Sequence, residues 1–161
     1  MAYFEWGPDL EIDHGPIDAD HRQLVELVNE LHTATSQGQG QEVVASVMER
    51  LISYTRQHFA REEQGMEAAA FPGLAAHREK HHAITAQLQA LADRQEAGSI
   101  TVASQLSSLM RDWLSLHIRR SDRELGGFPE GKKTGVVSIA FACRVPLQGF
   151  GPLQRGRGVP E

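Results

Sequence analysis

The chain has a single cysteine, Cys143, among 161 residues. One thiol closes no internal disulfide and cannot build a thiolate zinc site or an iron–sulfur cluster, so a reducing compartment is expected. Basic residues are also scarce: 16 Lys and Arg against 21 Asp and Glu leave a net charge of -5. A general nucleic-acid binder normally shows a basic face, and this composition argues against one. Long apolar runs are missing too, and none reaches the roughly 20 residues that span a bilayer. The N-terminus, MAYFEWGPDLEIDHG, carries acids where a signal peptide needs basic residues and then an apolar stretch. The expectation is a soluble, cytoplasmic, monomeric protein with no nucleic-acid partner and no integral membrane segment.

What the chain does contain is histidine, eight in all. His21, His58, His77, His81 and His117 fall on the apolar faces of helical patterns, whereas His14, His32 and His82 fit those faces less well. With 40% hydrophobic residues, the length suffices for one domain with its own core. Residues 1–16 hold Gly7-Pro8 and Gly15-Pro16 and little periodicity, which reads as an arm packed across helices through Phe4 and Trp6. A first helix is expected over residues 18–37, with Asp18 as N-cap and Ile17, His21, Leu24, Val28 and Leu31 on one face. Gly38-Gln39-Gly40 ends it.

A second helix runs over residues 41–66, with Val44, Val47, Met48, Leu51, Thr55, His58, Phe59, Glu62 and Met66 as its stripe. Phe71-Pro72-Gly73 breaks the chain. A third, over residues 72–97, carries Leu74, His77, His81, Ile84, Leu88 and Leu91, and Gly98 closes it. The fourth starts near Ser99 and carries Val102, Leu106, Leu109, Trp113, Leu114, His117, Ile118, Ser121 and Leu125. Short connections make consecutive helices antiparallel, so the expected fold is all-α, an up-down-up-down four-helix bundle over residues 1–128. Residues 129–161 hold six of the fifteen Gly and four of the seven Pro and read as a separate tail. Its apolar run, 136–145, suits a strand without an evident partner; a disordered appendage and a partner-binding segment both fit.

His58 and Glu62, like His77 and His81, are four residues apart, so each pair leaves one helix face. Burying five imidazoles and two carboxylates without partners would cost several kcal/mol per charged group. Coordination of a metal removes that cost. Imidazole with carboxylate suits Fe, Mn, Zn or Cu. Five imidazoles, two bridging carboxylates (Glu62 and Asp122) and one solvent bridge fill all but one position around two octahedral ions. Such a pair has room for one small ligand.

Ile17-Asp18-x-x-His21, His58-Phe59-x-x-Glu62-Glu63, His77-x-x-x-His81 and His117-Ile118-x-x-x-Asp122 together resemble the hemerythrins, and specifically the single-domain bacterial ones. The likeness covers about residues 3–128, includes Trp6 and Trp113-Leu114, and fills all seven ligand positions of that family. It implies two iron ions. His77, His81 and His117 would hold one and His21 and His58 the other, with Glu62 and Asp122 bridging beside an oxo or hydroxo group. Two spacings depart from the simple rule. His117 and Asp122 are five residues apart, and Glu63 points about 100° from Glu62, toward solvent or a neighbouring helix.

Leu24, Phe59, Trp113, Leu114 and Ile118 lie within a turn of His21, His58 or His117 and would form a dry pocket for O2. The resemblance then implies reversible O2 binding, for storage or delivery. Two alternatives stay open. One is a diiron peroxidase or oxidase, although Glu79-x-x-His82 and Glu11-x-x-His14, the Glu-x-x-His pairs such enzymes use, lie off the cluster face. The other is an O2- or redox-sensing module that relays through the tail.

Overall fold

A computed structural model of the chain describes residues 2–96, 99 and 101–126. The expectations for Gly98, Cys143 and the 129–161 tail lie outside the described residues. Four long helices follow an N-terminal arm: α1 (Pro16–Ser36), α2 (Gln41–Ala68), α3 (Leu74–Glu96) and α4 (Val102–His117). A π-helical turn, Ile118–Asp122, extends α4 and leads into a last short turn, α5 (Arg123–Gly126). Helix α1 packs on α2 and α4, and α3 on α2 and α4, which closes an antiparallel up-down-up-down bundle.

The expected helix starts need three corrections. Helix α1 begins at Pro16, whose missing N–H is harmless in a first turn. Asp13, not Asp18, serves the free amides there, accepting from the backbone N–H groups of Gly15 (2.8 Å), Ile17 (3.2 Å) and Asp18 (3.1 Å). Asp18 is buried and turned the other way, accepting from the N–H groups of Ile12 and His14, both at 2.8 Å. It therefore ties the arm to the helix. Helix α3 starts at Leu74 rather than Pro72, because Pro72 stays in the turn that Phe71 and Leu74 close (3.2 Å). Helix α4 starts at Val102, not Ser99.

The two helix ends near the turns use the same device. Gln39 N–H reaches back to Ala34 O (3.0 Å) past Gly38, whose φ of 65° needs glycine's freedom. Phe71 N–H reaches back to Met66 O (2.9 Å) past Ala70, whose φ is 51°. An alanine in that left-handed region costs about 1–2 kcal/mol, which the buried Phe71 ring helps to offset.

The core is one apolar cluster along the bundle axis. Leu24, Val28, Leu31, Leu51, Ile84, Leu88, Leu106 and Met110 are wholly buried. Each contributes roughly 1.5–3 kcal/mol relative to exposure. The arm is anchored by Phe4, as expected, and by Leu10, which the sequence reading did not single out. Asn29 clamps Phe4 at both backbone groups (2.7 and 2.8 Å). Trp6 is half-buried beneath the Arg22 guanidinium, 4.7 Å from its ring.

Candidate metal centre

Each long helix sends its histidines into one buried cluster: His21 from α1, His58 from α2, His77 and His81 from α3, His117 from α4. Glu62 joins from α2 and Asp122 from the π turn, and none of the seven is more than 6% exposed. The His117–Asp122 spacing now has a reason. Arg123 N–H bonds to Ile118 O, five residues back, so the turn is wider than an α-helical one. That extra residue swings Asp122 round toward the face that His117 occupies.

The donor atoms form two groups. In one, Glu62 Oε2 lies 3.3 Å from Nε2 of both His77 and His81, and His117 Nε2 lies 3.2 Å from each of those two nitrogens. In the other, His21, His58 and Glu62 converge, with His58 Nε2 at 3.8 Å from Glu62 Oε2. Within each group the donor atoms all lie within 4.8 Å of one another. Both carboxylates face both groups. Asp122 presents Oδ1 to His117 (3.0 Å) and His77 (3.5 Å) and Oδ2 to His21 (3.2 Å).

This geometry suits a cation better than a hydrogen-bond network. His81 Nδ1 faces Glu63 (2.7 Å) and His58 Nδ1 faces Asp20 (3.3 Å). In each ring Nδ1 is nearer its outer acid than Nε2 is to Glu62 (2.7 against 3.3 Å in His81, 3.3 against 3.8 Å in His58), so the better-placed proton is on Nδ1 and the Nε2 lone pair can face a cation. Burial pushes the His117 imidazole toward its neutral form, so it too offers a lone pair. Burial pushes Glu62 upward, but His77 and His81 outweigh it and hold the carboxyl well below its ordinary value. Asp122 is raised by burial and lowered by His117 and His21, with the lowering prevailing. Glu62 Oε1, both Asp122 oxygens and both ring nitrogens of His21 are buried without a hydrogen bond of proper geometry. Two imidazoles bound to one metal at about 2.1 Å and at right angles stand about 3 Å apart, close to the observed nitrogen separations. The residues fit a metal pair.

Around the cluster, Phe59 stacks on His81 (3.8 Å between centroids, 6° between planes) and Trp113 on His117 (4.1 Å, 16°). Phe59 also meets His58 (5.8 Å) and so borders both groups, while Trp113 lies against the three-histidine group and packs on Phe59. Leu24, Leu114 and Ile118 are buried nearby in the apolar core, while Trp113 keeps partial exposure. His14 and His82 are exposed and His32 stacks on Tyr3 (3.7 Å), so none of the three joins the cluster. Glu63 takes the second of its two expected directions, toward the neighbouring helix α3, where it is the hydrogen-bond acceptor for His81. Asp20, Tyr54 and Arg61 went unnoticed in the sequence, although an acid directly before His21 was a signal within reach.

Fold and site together define a metal-binding four-helix bundle. The Hemerythrin HHE cation binding domain model matches residues 15–128, and the chain belongs to the hemerythrin family. It is 35% identical over 123 residues to the bacteriohemerythrin of Stenotrophomonas maltophilia, covering 76% of this chain and 79% of that protein. The bacteriohemerythrin of Pseudomonas aeruginosa is 37% identical over 122 residues, covering 76% and 78%. Myohemerythrin-1 of Phascolopsis gouldii is 26% identical over 124 residues, covering 77% and 92%. A wild-type hemerythrin crystal structure superposes with a TM-score of 0.71 at 26% identity, spanning 78% of this chain and 97% of that one. Among the described residues no helix is long and apolar enough to cross a membrane.

Proposed function

We propose that the chain binds O2 reversibly at a non-haem diiron centre. His77, His81 and His117 would hold one ion and His21 and His58 the other, with Glu62 and Asp122 available to both. One observation carries the reading: buried imidazoles converge in an unequal split around two carboxylates that each face both groups. The iron pair, when bound, supplies reversible electron transfer to O2. His21 and His58 are fewer than the three imidazoles opposite, so their half would leave room for O2, and the protein's remaining task is exclusion. Leu24, Phe59, Leu114 and Ile118 are all buried, with the Trp113 ring packed against Phe59. Such walls admit a small neutral molecule and keep out water and anions, which limits irreversible oxidation.

The oxidase alternative gains nothing from the geometry. Glu79 and His82 are exposed, and His14 is exposed beside the half-buried Glu11, so neither Glu-x-x-His pair reaches the cluster. The test is an absorption spectrum of the ferrous-loaded protein before air, after air, and after oxygen is removed again. A visible band that appears with O2 and disappears on its removal is expected. One-way conversion to a ferric spectrum would overturn the carrier reading.

A further inference from the structure

Beyond the seven donors, two acids stand behind the cluster, and they are placed alike. Asp20 Oδ2 accepts from His58 Nδ1 at 3.3 Å and from Arg61 Nε at 2.8 Å, while its Oδ1 accepts from the Tyr54 hydroxyl at 2.8 Å. Glu63 Oε1 accepts from His81 Nδ1 at 2.7 Å, while its Oε2 accepts from Arg78 Nε at 3.1 Å. Each acid is mostly buried, with its side chain 19% exposed. One serves the two-histidine group and the other the three-histidine group. Each also accepts from an arginine, which shares Oδ2 with His58 on Asp20 and takes the oxygen opposite His81 on Glu63.

We propose that Asp20 and Glu63 are positioning residues, one for each half of the centre, that lock His58 and His81 with the proton on Nδ1 and the lone pair of Nε2 aimed inward. This inference rests on the metal-centre reading above. The arginines complete the device. A bare carboxylate beside an imidazole draws its proton outward and makes the ring a stronger, more anionic donor. Arg61 and Arg78 neutralise that pull, so the rings stay neutral ligands while their orientation is held. Tyr54 fixes the second oxygen of Asp20 and so sets the plane of its carboxylate.

The two halves do not depend equally on their acids. His21 Nδ1 is buried without a hydrogen-bond partner, so among the described residues Asp20 is the sole outer carboxylate of the two-histidine half. The three-histidine half has two further imidazoles beside the one that Glu63 orients. Loss of Asp20 therefore weakens metal retention more than loss of Glu63.

The experiment uses the full chain, loaded anaerobically with ferrous iron and challenged with a chelator, alongside long-range nitrogen–proton NMR of the metal-free protein. In Asp20→Asn the first iron should leave about 10–100-fold more readily, with a smaller effect in Glu63→Gln. Asp20→Glu should restore most of the loss, which a merely structural role would not require. In the metal-free protein, Asp20→Asn should scramble the tautomer of His58 alone and Glu63→Gln that of His81 alone. Unchanged tautomers or unchanged iron retention in both variants would overturn the proposal. A wild-type chain that retains no iron would refute the metal-centre reading instead, and the NMR result would then judge the positioning role by itself.

Discussion

Tyr54 is the side chain whose surroundings make the clearest demand on solution behaviour. Burial and the adjacent Asp20 carboxylate raise its phenol from 10.0 to about 12. A group with a raised folded pKa lends stability that is fully present below its unfolded pKa and fades as pH climbs through the folded one. The window here is therefore about pH 10 to 12. Alkaline unfolding followed by circular dichroism should show an extra loss of stability in that window for the wild type. Tyr54→Phe should lack it, and an identical alkaline profile in the two proteins would rule out the Tyr54–Asp20 contact. Asp20 shows why such residues escape a reading of the sequence. Its carboxyl is raised by burial but pulled well down by His58, Arg61 and Tyr54, partners that stand 34 to 41 positions away. The five histidines and Glu62 were legible as candidate donors because helical spacing puts them on apolar faces. Asp20 and Glu63 sit one residue off those faces, and only the packing of α1 on α2 and of α2 on α3 decides what they touch.

Among the elements, the start of α1 and the turn after α4 separate what local rules predict from what they miss. Asp18 was expected to cap α1, and Asp13, five residues earlier, does so instead. The structure divides their work: Asp13 serves the helix amides and Asp18 serves the arm. Asp13→Ala should then cost about 0.5–2 kcal/mol, the ordinary value of a lost cap. Asp18→Ala should cost more, because two partly buried amides lose their acceptor at about 1–3 kcal/mol each. Urea denaturation of both variants checks the order; equal losses would mean that Asp18 is no more than a second cap. The π turn is the opposite case. Its only trace in the sequence is a spacing of five where the other pairs show four. No local propensity marks it, and it persists because Ser121 and Asp122 are buried and the arm locks it from outside, through Asp9 with Arg119 and Arg123.

At the scale of the whole molecule, the bundle buries charge at the end of an otherwise apolar core. Wholly buried leucines lie between the helices, whereas the donor cluster places two ionised carboxylates among five imidazoles. A ligand that binds only the folded state stabilises it by mass action, by about 2.7 kcal/mol at a free concentration 100 times its dissociation constant. Ferrous loading should therefore raise the melting temperature, and the increment should vanish in His77→Ala or His117→Ala. Calorimetry with and without iron checks this, and an equal increment in those variants would move the binding elsewhere.

Periodicity, glycine and proline placement, and the repeated His/Glu spacing were enough to determine the all-α bundle, the order of its helices and the inward faces that carry the five histidines and Glu62. These features depend on contacts within one helix or across one turn, where distance along the chain equals distance in space. Only tertiary structure decided the outer carboxylates with their arginines and the wide turn that aims Asp122. Each of those joins residues from different helices, and their meeting depends on the depth and rotation at which the helices pack.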